Sequence, residues 1–434
     1  MAQGRAMTRA AAAAAACLAA GGCGAGELAV TSVAPPSGAA GEVVALTVAG
    51  RGFTDDTTAA LVDRDGTATP LAAVAVAPPD ALTGEAPASL PRGVYDLRVT
   101  RARDGATATA AGAYRAQGPL QVVAVDVGEG DATLVVSPTG GALLVDAGPL
   151  EAGSAVPDAL AAYGVRRLDW MIVTHYHADH IGGIRGVLAG PDGAVGTADD
   201  TAPPPGHLLD RGDNTDQGTI EYGFYVSLAA SLRAQAFPGQ ELDLGGGAVA
   251  RILVVNGDVD GVPAAADPVT RPDQENENCI AVRITYEDFS FLVAGDLTGN
   301  TAFGGDVDVE SPLGPVAGDL DVLRVNHHGS DTSSVGDFLR AVTPEASILS
   351  VGADNTYCHP NESATNRLAL DGGRLFLTEP GIVSAGIMTS AGTLCPVTST
   401  YLPADAVVAD GSVVVEVPLG GGAYTVAGIP FPGD

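Results

Sequence analysis

A dense cluster of metal-binding side chains follows an apolar segment near the middle of the chain. The apolar run Leu168–Val173 predicts a strand. Four such side chains lie within the six residues 175–180 that follow it closely: His175, His177, Asp179 and His180. Imidazole and carboxylate ligands at a strand end can hold two ions of Zn²⁺ or its first-row neighbours, which activate water and clamp a phosphoryl or acyl oxygen. The alternative is a histidine-rich surface loop that binds nothing.

The spacing inside the cluster divides it between two metal ions. His175 and His177 are separated by one residue, so in an extended segment their side chains point the same way and can share one metal. Asp179 and His180 follow as the chain turns and can bind the second metal. The rest of the chain supplies the further partners that such a site needs.

Length and charge limit the class of protein. The chain has 434 residues, which is too long for one ordinary core and predicts two or three domains. Its net charge is −31, from 52 acidic and 21 basic residues. A negative field of this size repels nucleic acid in general and leaves no basic surface to track it. The charge also fits a secreted protein.

The N-terminus has the pattern of an export signal. Arg5 and Arg9 precede an Ala-rich apolar run at 10–20, which is too short to be a stable membrane anchor. Small residues then precede Cys23, as at a bacterial lipoprotein processing site, where the cysteine receives a lipid. We therefore expect residues 1–23 to direct export to the cell envelope or the exterior, with the lipid as the only link to a membrane. Plain signal cleavage near the same place is the alternative.

Three cysteines follow the export signal. An exported chain permits disulfides, so Cys358 and Cys395 can pair and leave Cys279 buried in an apolar strand. Geometry decides whether they do, and the sequence alone does not contain it.

The region 27–117 has an all-β pattern. Short alternating runs are separated by Gly, Pro and Asp turns, which predicts strands and tight connections. The main signals occur in the order Val33–Gly38, Leu46–Phe53 and Leu90–Val99. In this order they resemble an IPT/TIG domain, which implies an immunoglobulin-like sandwich that spaces or docks other domains. A carbohydrate- or protein-binding role is the alternative to this structural one.

The region 119–400 is predicted to form an α/β domain. Strands at 120–127 and 141–146 are followed by a helical pattern at 156–163, and such alternation predicts sheets covered by helices. The segment 401–434 is expected to be a short β extension that carries no chemistry.

Four motifs in this region resemble the metallo-β-lactamase fold, and more narrowly the soluble hydrolase domain of the ComEC competence (DNA-uptake) family. In chain order they are Val125–Ala132 with Leu144–Gly148, the histidine cluster with Ile181–Gly183, Phe291–Asp296, and Val325–Ser330 with Asn355–Pro360 downstream. The first is close to the family motif DVGQGDA, with Glu129 in place of Gln. The resemblance implies an αββα sandwich with two divalent metal ions, Zn or Mn.

Strand ends supply the remaining candidate ligands. Asp296 ends an apolar strand after a glycine, where its carboxylate can bridge two cations. A helix N-cap before Leu297 is the alternative, and the resemblance favours the bridge. His327 and His328 end the strand Val322–Val325, and we expect one to bind the second metal and the other to lie near the substrate. We favour His328 as the ligand.

Other polar residues are assigned supporting roles. Ser330 is a candidate hydrogen-bond partner of a substrate oxygen, and His359 is a candidate proton donor, with a structural role as its alternative. Asp146 is expected to orient a ligand imidazole, since metal-bound histidine usually donates its other N–H to an acceptor. His207 is the one histidine between the cluster and Asp296. It is therefore the candidate for the third imidazole that other metallo-β-lactamases provide for the first metal.

Together these features predict an exported metal-dependent hydrolase with Asp179, His359 and Ser330 as catalytic residues. The resemblance points to phosphodiester substrates, with DNA as the first candidate. Because of the negative charge, a smaller phosphodiester is the second candidate substrate. Hydrolysis of a lactone, β-lactam or ester is a further option. A non-catalytic surface binding protein with a degenerate hydrolase scaffold is the rival from another class.

Overall fold

A computed structural model describes residues 27–433, apart from 191, 193, 196, 198–199, 205, 213–218, 264–274 and 300–306. Within the described residues the chain divides into two compact units, one formed by 27–90 with 94–114 and the other by 91–93 with 115–433. The predicted export signal at 1–23, including Cys23, lies outside the described residues. The described part of the chain contains no helix with the length and hydrophobicity to cross a bilayer.

The first unit is built from strands alone over the described residues 27–117. Its strands are β1 (Ala29–Ala34), β2 (Ser37–Ala39), β3 (Val44–Arg51), β4 (Thr57–Val62), β5 (Ala68–Pro70), β6 (Ala72–Ala77), β7 (Ala81–Ala86), β8 (Gly93–Arg101) and β9 (Ala106–Gln117). They form one sheet in the order β1-β3-β7-β6 and another in the order β2-β9-β8-β4-β5. Leu97 and Val99 lie on the buried face of β8, which alternates with a less buried one, as the period of a strand requires. The resemblance to an immunoglobulin-like IPT/TIG domain stays a prediction.

The second unit combines strands and helices, as the α/β prediction requires. Its described strands are β10 (Leu120–Ala124), β11 (Thr133–Val136), β12 (Ala142–Val145), β13 (Trp170–Ile172), β14 (Leu208–Asp210), β15 (Arg233–Gln235), β16 (Glu241–Gly245), β17 (Ala248–Val255), β18 (Asp258–Val259), β19 (Ala281–Tyr286), β20 (Phe289–Val293), β21 (Val322–Arg324), β22 (Ala346–Leu349), β23 (Arg374–Leu377), β24 (Val407–Val408), β25 (Val413–Val417), β26 (Tyr424–Val426) and β27 (Ile429–Phe431). Its described helices are α1 (Ala155–Ala162), α2 (Ala178–Ile181), α3 (Ile184–Leu188), α4 (Ile220–Ala229), α5 (Glu310–Ala317), α6 (Gly336–Val342) and α7 (Glu362–Asp371).

The strands of this unit form two large sheets. The first has the order β15-β14-β13-β12-β11-β10-β25-β26-β27. The second has the order β16-β17-β19-β20-β21-β22-β23-β24, with β18 paired to β17. Strands β12 to β15 run parallel to one another, and so do β20 to β24. In parallel sheets the loops at the carboxyl ends of the strands form the ligand sites.

The segment predicted to be a β extension contributes strands to both of these sheets within its described residues 401–433. Strand β25 lies inside the first sheet and pairs antiparallel with β10. Strand β24 forms an edge of the second sheet beside β23. The valine-rich sequence of β25 predicts a strand but not its partner, because Gln121 and Glu416, which face each other across this pair, are 295 residues apart.

Three hydrophobic clusters define the layers of the second unit. One lies between the two sheets and joins Val122 of the first to Phe291 of the second. Another packs the first sheet against helices through residues such as Leu160 of α1. The third packs the second sheet against helices through Leu313 of α5 and Phe338 of α6. The order is helix, sheet, sheet, helix, and the inner strands β11 and β12 are buried at every residue because both of their faces are covered.

This layering brings distant parts of the chain to one edge of the two sheets. Strand β13 of the first sheet ends just before His175. In the second sheet, β20 ends just before Asp296 and β21 ends just before His327. Since the carboxyl ends of these strands meet, three segments far apart in sequence supply one site.

Candidate metal centre

Asp146, which follows β12, holds the histidine cluster in place. Its Oδ1 accepts a hydrogen bond from the backbone N–H of Thr174 at 2.8 Å, and its Oδ2 accepts one from the Thr174 hydroxyl at 2.7 Å. Nδ1 of His180 lies 2.8 Å from the same Oδ2. The Nδ1–H of His180 therefore donates to Asp146, which leaves the lone pair of Nε2 for a metal. This is the orienting contact that the sequence predicts for Asp146.

Four side chains converge on one point, which we call position 2. They are Asp179, His180, Asp296 and His328, and their ligand atoms lie within 4.8 Å of one another. Nε2 of His180 is 3.2 Å from Oδ1 of Asp296. Nε2 of His328 is 3.3 Å from Oδ2 of Asp179 and 3.5 Å from Oδ1 of Asp296. Two imidazoles and two carboxylates at this spacing suit a first-row metal ion.

A second group of ligand atoms, position 1, adjoins the first. It consists of His175, His177 and Asp296. Nε2 of His175 lies 3.1 Å from Nδ1 of His177 and 3.8 Å from Oδ2 of Asp296. Asp296 thus turns Oδ1 toward position 2 and Oδ2 toward position 1, as a bridging carboxylate does. No helix follows Asp296 in the described residues 297–299, so the helix N-cap alternative is wrong.

Buried atoms at position 2 show that a metal ion fits there. Among the described residues, Nε2 of His180, Nε2 of His328 and Oδ1 of Asp296 are buried without a hydrogen-bond partner. A buried polar atom left without a partner costs about 1–3 kcal/mol, so three such atoms around one point need a common partner. A divalent cation meets that need, and the side chains present fit two such ions.

The carboxylates and imidazoles of position 2 shift one another's pKa. Burial lowers the pKa of His328, but the charges of Asp296 and Asp131 outweigh burial and raise the pKa to about 10. Burial raises the pKa of Asp179, but His180 and His328 outweigh it and lower the pKa to about 2. Asp179 is therefore ionised at neutral pH, and the centre attracts positive charge.

A backbone turn lets two adjacent histidines approach the centre. His327 and His328 have φ angles of 51° and 50°, so the chain turns sharply where β21 has ended. His328 belongs to position 2, and His327 lies outside both ligand groups. Nε2 of His327 is 3.6 Å from Oδ2 of Asp296 and 3.3 Å from Nδ2 of Asn276. Its Nδ1 lies 2.9 Å from the hydroxyl of Thr332, which fixes the ring beside the metal positions.

Ser330 and His359 lie next to these ligands. The ring centre of His359 is 5.7 Å from that of His327 and 5.9 Å from that of His328. The hydroxyl of Ser330 is 3.1 Å from the hydroxyl of Thr332, which also contacts His327. Both residues therefore lie close enough to act on a substrate at the centre, and their catalytic roles stay predictions.

A disulfide joins the loop that carries His359 to a later part of the chain. Cys358 and Cys395 are bonded, and Cys279 is free and buried, which confirms the pairing that the sequence allowed. Because Cys358 directly precedes His359, the bond restricts the movement of this loop.

His207 lies at the opposite end of the strands from the metal positions. It precedes β14, and its ring stacks on Trp170 with 3.8 Å between the ring centres. Its Nδ1 is 2.9 Å from the carbonyl oxygen of Asp169. Trp170 begins β13, whereas the histidine cluster follows the end of that strand. His207 is therefore not a ligand of position 1, and this position has two imidazoles among the described residues.

Buried ion pairs stabilise the site, and no sequence pattern indicated their partners. Glu275 accepts hydrogen bonds from the backbone N–H of Tyr176 at 2.7 Å and from Nε of Arg211 at 2.9 Å. Arg324 forms an ion pair with Asp131. The two pairs join residues 64 and 193 positions apart, so no local pattern indicates them. Both arginine side chains are at most 1% exposed, so their charges balance buried carboxylates and do not face solvent.

Comparison with known proteins agrees with this geometry. Residues 125–353, more than half of the chain, match the family model of the Metallo-beta-lactamase superfamily. Competence protein ComA of Neisseria gonorrhoeae is 29% identical over 259 residues, which cover 58% of this chain and 30% of that protein. ComE operon protein 3 of Bacillus subtilis (strain 168) is 24% identical over 311 residues, which cover 66% of this chain and 35% of that protein. The chain thus spans about a third of the length of these relatives.

Solved structures add little to this result. The Zn(2+)-bound PqqB from Methylobacterium extorquens matches with 12% identity and a TM-score of 0.32, over 52% of this chain and 88% of that one. A likeness this low supports no argument about function. The family match covers the histidine cluster, Asp296 and His328, which are the residues that meet at the two metal positions. The chain belongs to the metallo-beta-lactamase superfamily.

Proposed function

We propose that the protein is an exported phosphodiesterase that uses two divalent metal ions. The observation that carries the proposal is Asp296, whose two oxygens face two adjoining groups of ligand atoms. Ligands placed in this way would hold two divalent ions side by side, and such a pair would supply an electrostatic clamp for a phosphoryl group and for its attacking and leaving oxygens. The ComEC-like motifs support a phosphodiester as the bond that is cleaved, and one relative is named a competence protein.

The protein's own residues would orient the reactants around that clamp. Divalent ions held at the two positions would supply Lewis acidity and would lower the pKa of bound water. The side chain of Asp179 is 32% exposed, against 3% for Asp296, so it is the ligand that incoming water meets. The Asp179 carboxylate would orient the attacking water, and the Ser330 hydroxyl would donate a hydrogen bond to a phosphoryl oxygen.

The placement of cations favours a small phosphodiester over long DNA. Arg211 and Arg324 are buried in ion pairs. Arg367 donates hydrogen bonds to the backbone carbonyl oxygens of Ser333 and Ser334. Proteins that bind DNA along its backbone neutralise phosphates with Lys and Arg, and a chain with net charge −31 offers little for this. Small nucleotide or phosphocholine diesters need no such surface.

We also propose that the chain acts outside the cytoplasm. The Cys358–Cys395 disulfide supports an oxidising compartment. The predicted signal at residues 1–23 would deliver the chain there, with a lipid on Cys23. Mass spectrometry of the mature N-terminus should find a lipidated Cys23 in the membrane fraction. An intact N-terminus in the cytoplasmic fraction would contradict export.

Hydrolysis of bis(4-nitrophenyl) phosphate tests the enzymatic part of the proposal. Protein loaded with Zn²⁺ or Mn²⁺ should release 4-nitrophenolate, and chelation or Asp179→Ala should abolish the release. Asp158→Ala is the matched control, because Asp158 is an exposed carboxylate on α1 that pairs with Ser154 away from the ligands. Metal-loaded protein that hydrolyses no phosphodiester, lactone, β-lactam or ester would contradict the proposal and favour a non-catalytic binding protein.

A further inference from the structure

A carboxylate and an imidazole form a hydrogen-bonded pair beside the metal positions. Nδ1 of His359 lies 2.7 Å from Oε1 of Glu129, although 230 residues separate them in sequence. Their side chains are 9% and 15% exposed, so water screens the pair only weakly. Within the described part of the chain, Nε2 of His359 forms no hydrogen bond, so this nitrogen remains for a substrate.

Backbone groups hold both members of the pair. Oε2 of Glu129 accepts a hydrogen bond from the backbone N–H of Gly352 at 2.8 Å. A Cβ at position 352 would lie 2.5 Å from the backbone nitrogen of Glu129, so only glycine allows this approach. Oδ1 of Asn355 accepts a hydrogen bond from the His359 N–H at 2.9 Å, and Nδ2 of Asn355 donates to the His359 carbonyl at 2.8 Å. The imidazole is therefore fixed at its backbone and at Nδ1.

The fixed ring lies between the ligands and the outside. On one side it approaches His327 and His328, with ring centres 5.7 and 5.9 Å away. On the other side the exposed ring of Tyr357 stacks on it, with centres 5.6 Å apart and an interplanar angle of 18°. A group that leaves a phosphoryl centre held at the metal positions on the side of Tyr357 would pass the imidazole.

We propose that Glu129 positions His359 as the proton donor to the leaving-group oxygen, so that the enzyme cleaves phosphodiesters with unactivated alkoxide leaving groups. This inference rests on the proposed function. A carboxylate bonded to Nδ1 fixes the orientation of an imidazole and stabilises the positive charge that the ring carries before Nε2 donates its proton. Position 129 is also where the chain departs from the DVGQGDA motif, whose glutamine has no charge to offer.

The proposed step balances without any further reactant. A bond forms between the water oxygen and phosphorus, and the ester bond between phosphorus and the leaving oxygen breaks. The leaving oxygen takes the proton from Nε2 of His359 and departs as an alcohol. The proton of the attacking water leaves past the Asp179 carboxylate to solvent, and solvent returns one proton to His359. A phosphodiester and water thus give a phosphomonoester and an alcohol.

The leaving group supplies the test. Bis(4-nitrophenyl) phosphate releases a phenolate that is stable without a proton, whereas bis(4-nitrobenzyl) phosphate releases an alkoxide that is not. Glu129→Gln keeps the size of the side chain and removes its charge. We expect it to lower turnover of the benzyl ester at least about 10²-fold, and turnover of the phenyl ester less than about fivefold, because general acid catalysis contributes 10²–10⁴-fold where it is needed. His359→Gln should reproduce this pattern, and the double variant should lose no more than either single variant.

Glu379→Gln is the matched control, since the Glu379 carboxylate accepts a hydrogen bond from Ala353, the neighbour of Gly352. It should change both esters alike, and all variants should bind metal as the wild type does. An equal loss on both esters in Glu129→Gln, or no loss, would overturn the inference, and so would a wild type that cleaves the phenyl ester alone. Failure of the wild type to cleave even the phenyl ester would instead contradict the proposed function.

Discussion

The two metal positions share Asp296 but differ in how completely the protein surrounds them. Position 2 has two imidazoles and two carboxylates, and position 1 has two imidazoles and the shared carboxylate. The third imidazole expected for position 1 would have been His207, which stacks on Trp170 at the far end of the strands. One buried carboxylate can therefore join a well-formed site to an incomplete one, and the two metals need not bind equally.

The two positions also differ in the acceptors that contact Nδ1 of their ligand histidines. At position 2, Nδ1 of His180 donates to Asp146, and Nδ1 of His328 lies 3.2 Å from the carbonyl oxygen of Ser350. At position 1, Nδ1 of His175 has the hydroxyl of Thr174 at 3.1 Å. Acceptors behind ligand histidines fix the ring and strengthen its bond to the metal. A carboxylate does this more strongly than a hydroxyl.

Charge separates the positions as well. Burial lowers the pKa of His175 well below its ordinary value, and the neighbouring His180 and His177 lower it further. At position 2 the pKa of His180 is raised well above its ordinary value, because Asp296, Asp179 and other carboxylates outweigh burial. The stronger negative field thus lies at position 2, where it adds to the attraction for a cation.

The largest effect is expected from the ligand that the positions share. Asp296→Asn removes a charge from both at constant size, so metal content should fall from two ions per chain to less than one. Loss of the metal contribution, several kcal/mol, should lower phosphodiester turnover by at least about 10³-fold. Elemental analysis and bis(4-nitrophenyl) phosphate hydrolysis measure the two quantities. A variant that keeps one tightly bound ion would show that Asp296 serves only one position.

Asp146→Asn should weaken position 2 more than position 1, because Asp146 contacts His180 directly and reaches His175 only through the Thr174 hydroxyl. The asparagine Nδ2–H would donate to Nδ1 of His180, which moves the imidazole proton to Nε2 and blocks the metal-binding lone pair. Removing such a partner typically lowers metal affinity about 10–100-fold, and calorimetric titration with Zn²⁺ should show the loss in the tighter binding step. Asp169→Asn is the control, because Asp169 accepts a hydrogen bond from the Ala142 N–H at the opposite end of the same strands. Equal weakening of both steps would contradict the assignment.

The sequence indicates the described ligands of both positions. Asp179 and His180 stand in one short segment, and the ends of two apolar strands indicate Asp296 and His328. In each case a local pattern predicts a strand, and strand ends in a layered α/β domain meet at one edge. The α/β class is predicted from these patterns and the superfamily from the resemblance of four motifs, and both are confirmed.

Contacts between distant residues could not be predicted in this way. The bond from Glu129 to His359 spans 230 residues, and the bond from Glu275 to Arg211 spans 64. No periodicity or spacing records which side chains face each other once the sheets pack. The wrong prediction that His207 is a metal ligand has the same cause. The two ends of a three-residue strand such as β13 are close in sequence but lie at opposite edges of the sheet.

Graded chelation should remove the two metals in two steps. Position 1 has fewer ligands, and its His175 contacts a hydroxyl where His180 of position 2 contacts a carboxylate. We therefore expect position 1 to lose its ion at a chelator concentration about tenfold lower than position 2 does. His177→Ala should remove only the weaker binding step, and His328→Ala should remove only the tighter one. Calorimetry and elemental analysis after partial chelation report both results. A single step with two ions lost together would show that the shared carboxylate makes the positions one cooperative site.

The smallest effect on the metal centre is expected from Glu310, which supports the segment before His328. Its Oε1 accepts hydrogen bonds from Nδ2 of Asn326 at 2.6 Å and from the Ser334 N–H at 2.7 Å. Its Oε2 accepts one from the Val335 N–H at 2.8 Å. Burial raises the pKa of Glu310 to about 7 despite these hydrogen bonds. The carboxyl group is thus held in a place that favours its neutral form.

The folded protein therefore binds this proton more tightly than the unfolded chain does, whose glutamate has a pKa of 4.5. Stability from Glu310 is complete below pH 4.5 and is lost as the pH rises to 7. In Glu310→Gln this loss is absent, so the wild type should lose about 2 kcal/mol relative to the variant between pH 5 and 7, by urea denaturation of metal-free protein. Glu362→Gln, an exposed first-turn residue of α7, should follow the wild type. Metal affinity should change less than about twofold, and a larger change would mean that the Glu310 charge, and not only its shape, supports position 2.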